Sequence, residues 1–337
     1  MTNGQPPAKQ DDEFVQRFAV AITHLGHDNA AIRLAAVHEL ARLADDWELQ
    51  RQTCIDVLCA YMRLPFDPTG TDARGESEVR KTIVRLIVKR LREGGTFVED
   101  SYDFDFSGAT FTTDADFRGA TFIQDVHFEG AAFNGHAYFE GETFAADVDF
   151  EGVSFARYTY FNDAVFAGYA YFKDAVFAGY AYFKDATFSE DVYFIRARFA
   201  TGAYFKDATF SAHAGFGGAR FATGAYFKDA TFSAHAGFGG AHFEDVSFEG
   251  ARFQGDAHFE GAAFNGHADF GDAHFEDVSF RGTRFIGTAD YGGATFNGHA
   301  DFRLINKHPA GLPDPLPPNI AVIIPEPDSP NAPDESS

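Results

Sequence analysis

Sulfur is nearly missing from this sequence. Cys54 and Cys59 are its only cysteines. Five residues apart in a helical pattern, they do not share a face. No Cys-x-x-Cys pair or other metal-ligand spacing occurs, so a zinc or disulfide framework is excluded and a reduced, cytoplasmic setting is expected. No apolar run reaches the ~18 residues that span a bilayer, and residues 1–10 lack the apolar core of a signal peptide; membrane insertion is not expected. Bases are scarce: 27 Lys and Arg face 50 Asp and Glu. The excess is concentrated in residues 101–302, with 29 acids against 12 bases. That field disfavours direct binding to nucleic acid or anionic lipid and favours basic partners. No nucleophile stands beside a base and an orienting group, so no catalytic residue and no cofactor is assigned and the chain is read as a non-enzyme.

What is abundant is phenylalanine, 41 residues against 1 Trp and 2 Met, together with 33 Gly. An ordinary core mixes shapes to reach close packing; this bias points to one packing solution used many times. From Phe106 to Phe302 an aromatic recurs every five or six residues, 37 positions of which Tyr291 alone is not Phe. Two residues before each nearly always stands a small or β-branched residue, as at Ala109, Ala115, Ala120 and Val126, with Glu142 an odd one out. A step of five spreads side chains around a helix and contradicts the two-residue alternation of a long strand. It fits a chain that turns after each short stretch, with Gly, Asn and Asp at the turns. The predicted core is the Phe row, including Phe111, Phe117, Phe122, Phe128, Phe205, Phe210, Phe227 and Phe232.

Steps of five and six alternate up to Phe243, giving 22 residues for four sides. Residues 198–219 recur identically as 220–241, one whole coil copied in phase. Tyr138, Tyr160, Tyr182, Tyr204 and Tyr226 share this spacing, as do Lys184, Lys206 and Lys228, each followed by an Asp that offsets its charge. The added residue is expected at two opposite corners. After Phe243 the step of five occurs twice running, which predicts shorter coils and a kink or change of twist near 243–253.

The row resembles the pentapeptide-repeat family in its Phe-centred form. The resemblance implies a mainly β fold, a right-handed quadrilateral β-helix over 104–302. The 36 steps make about nine coils, or ~43 Å at a rise of ~4.8 Å.

Residues 11–95 are expected to form a small all-α domain. Apolar stripes run through Phe14, Phe18, Ile22 and Leu25; through Leu34, Val37, Leu40 and Ala44; through Val57, Leu58, Tyr61 and Met62; and through Val79, Ile83, Ile87 and Leu91. Asp28 or Asn29 can cap the second helix and Ser77 the fourth. The segment 28–37 resembles a HEAT or armadillo helix pair. Residues 1–10 and the Pro-rich stretch 303–337 read as disordered, except that the apolar run 320–324 is placed to cap the last coil.

Two surface features invite a functional reading. His213 and His235 should stack with Asp191 before them in the column, a set that a metal could bridge; they are read as turn residues and no metal is assigned. The tyrosines Tyr138, Tyr158, Tyr160, Tyr171, Tyr180, Tyr182, Tyr204 and Tyr226, with Tyr169, are expected to form an aromatic patch, and aromatics are enriched at interfaces. The expected role is a protein-interaction scaffold, with a protein partner or a second copy forming a homodimer. The alternative follows from the resemblance: some pentapeptide-repeat proteins are acidic rods that mimic duplex DNA and bind DNA gyrase, a type II topoisomerase.

Overall fold

The computed structural model describes residues 7–98, 101–307, 310–312 and 317–323. Four helices come first: α1 (Pro7–Leu25), α2 (Ala30–Asp46), α3 (Arg51–Arg63) and α4 (Ala73–Leu91). Residues 1–6 of the expected disordered start lie outside the described residues, whereas 7–10 already belong to α1. Three of the four apolar stripes point inward. The first is displaced by one residue: Phe14, Ala21 and Leu25 are buried, Phe18 packs edge-on against Trp47, and Ile22 is exposed. Offsets of four, seven and eleven from Phe14 keep one face of a 3.6-residue helix, and Ile22 stands one residue beyond it.

Asn29 caps α2 by accepting from the Ala31 N–H at 2.9 Å. Ser77 caps nothing, because α4 begins four residues earlier. Arg80, fully buried, holds α4 against the end of α3. It donates to the carbonyls of Met62 (2.8 Å) and Leu64 (2.7 Å) and pairs with Glu76 at 2.7 Å. These carbonyls are among those a helix end leaves without partners. Four helices around one core do not of themselves establish the HEAT or armadillo likeness.

The β region is a parallel solenoid of about ten turns with four faces per coil. Each face contributes a strand of about two residues, and each strand pairs in register with its counterpart one coil away. The first face builds an 11-stranded sheet and the fourth a 9-stranded sheet. The second and third are joined into one 16-stranded sheet, because Arg220–Tyr226 and His242–Ser247 run straight through their corner. Inside, Phe rings stack coil upon coil, as Phe117 on Phe139 (5.0 Å), Phe205 on Phe227 (4.7 Å) and Phe210 on Phe232 (4.6 Å). Rings of different columns meet edge to face, as Phe128 and Phe139 at 5.9 Å and 81°. Both arrangements suit the ring quadrupole. Phe111, Phe122, Phe128 and Phe232 are buried likewise.

The corners are of two kinds, and up to Phe243 the sequence step sets which. A five-residue step makes a tight turn: the Ala109 N–H donates to the Phe106 carbonyl at 2.9 Å, and Gly108 between them has φ +66°. Glycine enters that region freely. The same position is Asp in Asp163, Asp174, Asp185, Asp207, Asp229 and Asp272, and Arg in Arg196; short polar side chains tolerate it through local hydrogen bonds. A six-residue step makes a wider bend, on which an Asp often accepts from the coil above, as Asp114 from the His136 N–H at 2.9 Å and Asp191 from the His213 N–H at 3.0 Å. The added residue thus sits at two opposite corners.

Where the rhythm slips, the register slips. Phe221 pairs with Phe243, but Ala225 pairs with Val246, one residue short. No kink follows in the core: Phe221–Phe243, Phe227–Phe248 and Phe243–Phe264 stack at 5.0, 4.8 and 5.1 Å. The missing residue is taken from the exposed bend, so the ring columns are undisturbed.

Both ends of the ladder are covered. α3 lies over Phe104–Asp105 and α4 over Ala115–Asp116; Phe97 packs on Phe104 and Arg63 pairs with Asp105 at 2.8 Å. At the far end Ile320–Ile323 adds a parallel strand to Ala300–Arg303, so that part of the Pro-rich stretch is ordered; Ile324 and the rest of 324–337 lie outside the described residues. Covering edges removes unpaired N–H and C=O groups that would template association.

Tyr291 stacks on Phe270 at 4.7 Å, but its hydroxyl has no partner among the described residues, and burial drives its pKa well up. A buried polar group left unmatched costs ~1–3 kcal/mol. Tyr291→Phe is therefore expected to stabilise the solenoid by about 1–2 kcal/mol, read as a raised midpoint in denaturant titration.

Candidate interaction surface

The third face carries the tyrosine column. Its outward position is Tyr138, Tyr160, Tyr182, Tyr204 and Tyr226 on five successive coils. Their rings stack at 5.1, 5.1, 5.0 and 4.9 Å, with planes within 14°. In-register parallel pairing of identical residues imposes this spacing. Tyr158 and Tyr180 stand on the preceding bend and meet each other at 5.1 Å, edge to face. The upper rings lie back over that bend. A Cβ on Gly202 would stand 2.9 Å from the Tyr204 hydroxyl, and one on Gly224 2.3 Å from that of Tyr226. Burial against the neighbours raises the pKa of Tyr138, Tyr160, Tyr182 and Tyr204, away from the charged form.

The expected single patch divides in two. Tyr171 stands on the first face, across the rod, with Tyr169 beside it and Tyr193 stacked on it at 5.7 Å. Eleven residues is half a coil, so Tyr160 and Tyr171 point to opposite sides. Tyr193 was not among the expected residues, although it follows Tyr171 by 22. Its hydroxyl donates to Asp191 at 2.8 Å and that bond pushes its pKa to about 12.

The edge of the tyrosine face is charged but balanced. Lys184 pairs with Asp185 at 2.6 Å and Lys206 with Asp207 at 3.3 Å. Lys228 reaches instead to Glu249 of the next coil at 2.8 Å. At the column's foot Arg118 lies over the Tyr138 ring at 5.0 Å and pairs with Asp116 at 2.7 Å. At its head the outward position becomes Ser247 and then Asp269.

The histidines also stack. His213 and His235 lie 4.8 Å apart with planes 9° from parallel, and His258 continues the row at 4.7 Å. Burial, then His213 and His258, lowers the His235 pKa. Asp191 is engaged by the His213 N–H and by Tyr193. Among the described residues no group of three or more His, Cys, Asp or Glu is arranged to hold a metal ion, and no helix is long and apolar enough to cross a membrane.

The family model described as pentapeptide repeats (9 copies) matches residues 102–143, 172–220, 216–263 and 259–304. No curated protein and no solved structure matches the chain. The match covers just over half of the 337 residues and falls on the Phe-lined coils. The chain belongs to the pentapeptide-repeat family.

Proposed function

We propose that this protein is a non-enzymatic scaffold that holds a protein partner on the tyrosine face of its solenoid. The observation that carries the reading is the column Tyr138 to Tyr226: five rings at fixed spacing, uncharged, on a rod with 29 acids and 12 bases. A rigid aromatic row loses little entropy on binding, and interfaces concentrate their energy in such groups. The charges along its edge are neutralised in pairs, which leaves a partner free to approach.

The test is affinity capture on immobilised protein, wild type against Tyr160→Ser/Tyr182→Ser. Both positions face outward, so the variant is expected to melt within a few degrees of wild type. Proteins retained by wild type should be lost from the variant. Equal retention by both would refute the tyrosine face as the contact.

The acidic balance of the rod favours a second reading, a DNA-mimicking modulator of DNA gyrase. The paired lysines along the tyrosine edge interrupt the run of negative charge that such mimicry needs. Micromolar protein added to a gyrase supercoiling reaction is expected to leave it unchanged; inhibition would reverse the order of the two readings.

A further inference from the structure

Arginines of the helical domain are mostly spoken for. Arg17 pairs with Glu39, Arg33 with Asp72, Arg63 with Asp105, Arg80 with Glu76 and Arg90 with Asp45. One stripe is left over. Lys81, Arg85 and Lys89 follow one another at four-residue spacing on α4, are exposed, and make no ion pair or side-chain hydrogen bond with any described residue. Arg92 continues the stripe, its Nε donating to the Arg118 carbonyl at 3.0 Å.

This stripe forms one wall of a groove of about 420 Å³ between α4 and the first coil. Val84 and Val88 make the floor, and Asp114 and Asp116 stand on the opposite wall. Asp114 accepts from the coil above and Asp116 pairs with Arg118 while also feeling Arg92, so neither makes an ion pair with Lys81, Arg85 or Lys89. In a chain with an excess of 23 acids, these three bases make no ion pair with any described residue.

We propose that the groove is the docking site for an acidic polypeptide segment of a partner protein, its carboxylates set at about one helical turn to meet Lys81, Arg85 and Lys89. Opposite charge across the contact fixes orientation and speeds encounter. A short segment places its charge on α4 alone. A DNA duplex or an anionic bilayer is an extended field of negative charge and would also meet the acidic rod. The inference deepens the scaffold reading by giving it a second contact of stated chemistry.

The probe is a fluorescein-labelled helical peptide of about sixteen residues with Glu at every fourth position, compared with its Gln counterpart. It is titrated with the full chain by fluorescence anisotropy at an ionic strength of about 0.05 M. The Glu peptide is expected to bind, the Gln peptide at least about tenfold more weakly, with affinity falling as salt rises. Lys81→Glu/Arg85→Glu/Lys89→Glu should lose at least about tenfold; if that variant fails to fold by circular dichroism, Arg85→Gln/Lys89→Gln decides. Tyr160→Ser/Tyr182→Ser should bind the peptide as wild type does, so failure here and failure of the tyrosine face are separate results. The proposal is overturned if the Glu peptide does not bind, if the charge variants bind it equally well, or if duplex DNA or phosphatidylserine vesicles are held in preference through the same three side chains.

Discussion

Deleting residues 206–210 is expected to unfold the solenoid beyond the cut, whereas deleting 198–219 leaves a folded rod one coil shorter. The larger deletion removes one complete copy of the duplicated coil and joins Ala197 to Arg220, which already sits in register above Arg198. Every later residue keeps its face, and the ring columns close over the gap. The smaller deletion removes one face and its tight corner. Phe216 then follows Phe205 by a six-residue bend where the coil below has the tight turn Phe183 to Ala186, with Asp185 at φ +58°. From there on, each wide bend lies over a tight turn, and the inter-coil hydrogen bonds at the corners lose their partners. Interior coils touch only their neighbours, so the loss propagates to the end of the array. Thermal unfolding followed by circular dichroism separates the outcomes. Two variants that melt alike would refute the alternation of corners as the determinant of coil register.

Glu142→Ala is expected to stabilise the protein at neutral pH by about 2 kcal/mol or more, the order expected when an unpartnered buried polar group is removed. Glu142 occupies the small-residue position of its column, where the coils on either side carry Ala120 and Ala164. It is fully buried, and among the described residues neither carboxylate oxygen has a well-formed hydrogen bond, the Ala120 N–H being the one donor that favours its charged form. Burial pushes its pKa well above the ordinary 4.5. The sign of the pH dependence follows. A carboxyl whose folded pKa is raised binds its proton more tightly in the folded state than in the unfolded one, so the contribution of Glu142 to stability is most favourable below about pH 4.5 and declines as pH rises from there toward the folded pKa. The advantage of Glu142→Ala should therefore be small in acid and grow with pH. Glu142→Gln keeps the unmatched polarity but cannot ionise, so its difference from wild type should carry the pH dependence alone. Denaturant midpoints at pH 4 and pH 7 measure both. An advantage independent of pH would mean that the carboxyl finds a partner in solution.

These expectations rest on features that differ in how openly the sequence declares them. The spacing of Phe106, Phe111 and Phe117 gives the inward column directly, because each coil repeats the same burial. The 22-residue interval between Tyr138 and Tyr160 gives the stack directly, because parallel in-register strands place identical residues one above another. Ile22 and Ser77 were misread for a different reason. A helix stripe is a statistical face whose phase depends on the neighbour it meets, and with Phe14 and Phe18 against Trp47 the buried face runs through Ala21 and not Ile22. Nothing local distinguishes Ala73 from Ser77 as the place where α4 begins.

The sequence by itself determined the solenoid: a repeat writes its own contacts, since every coil buries the same side chains against copies of themselves. It also determined the shortened coils after Phe243, because a missing residue is countable. The face of each tyrosine was countable too, since eleven residues is half a coil, but only the tertiary structure showed how the rings of Tyr204 and Tyr226 lie back over the preceding bend. It alone showed that the lost residue leaves the core straight, because flexible outer bends absorb what the packed rings do not. It alone set the bases of α4 beside the first coil, a contact between two segments whose periodicities carry no information about one another.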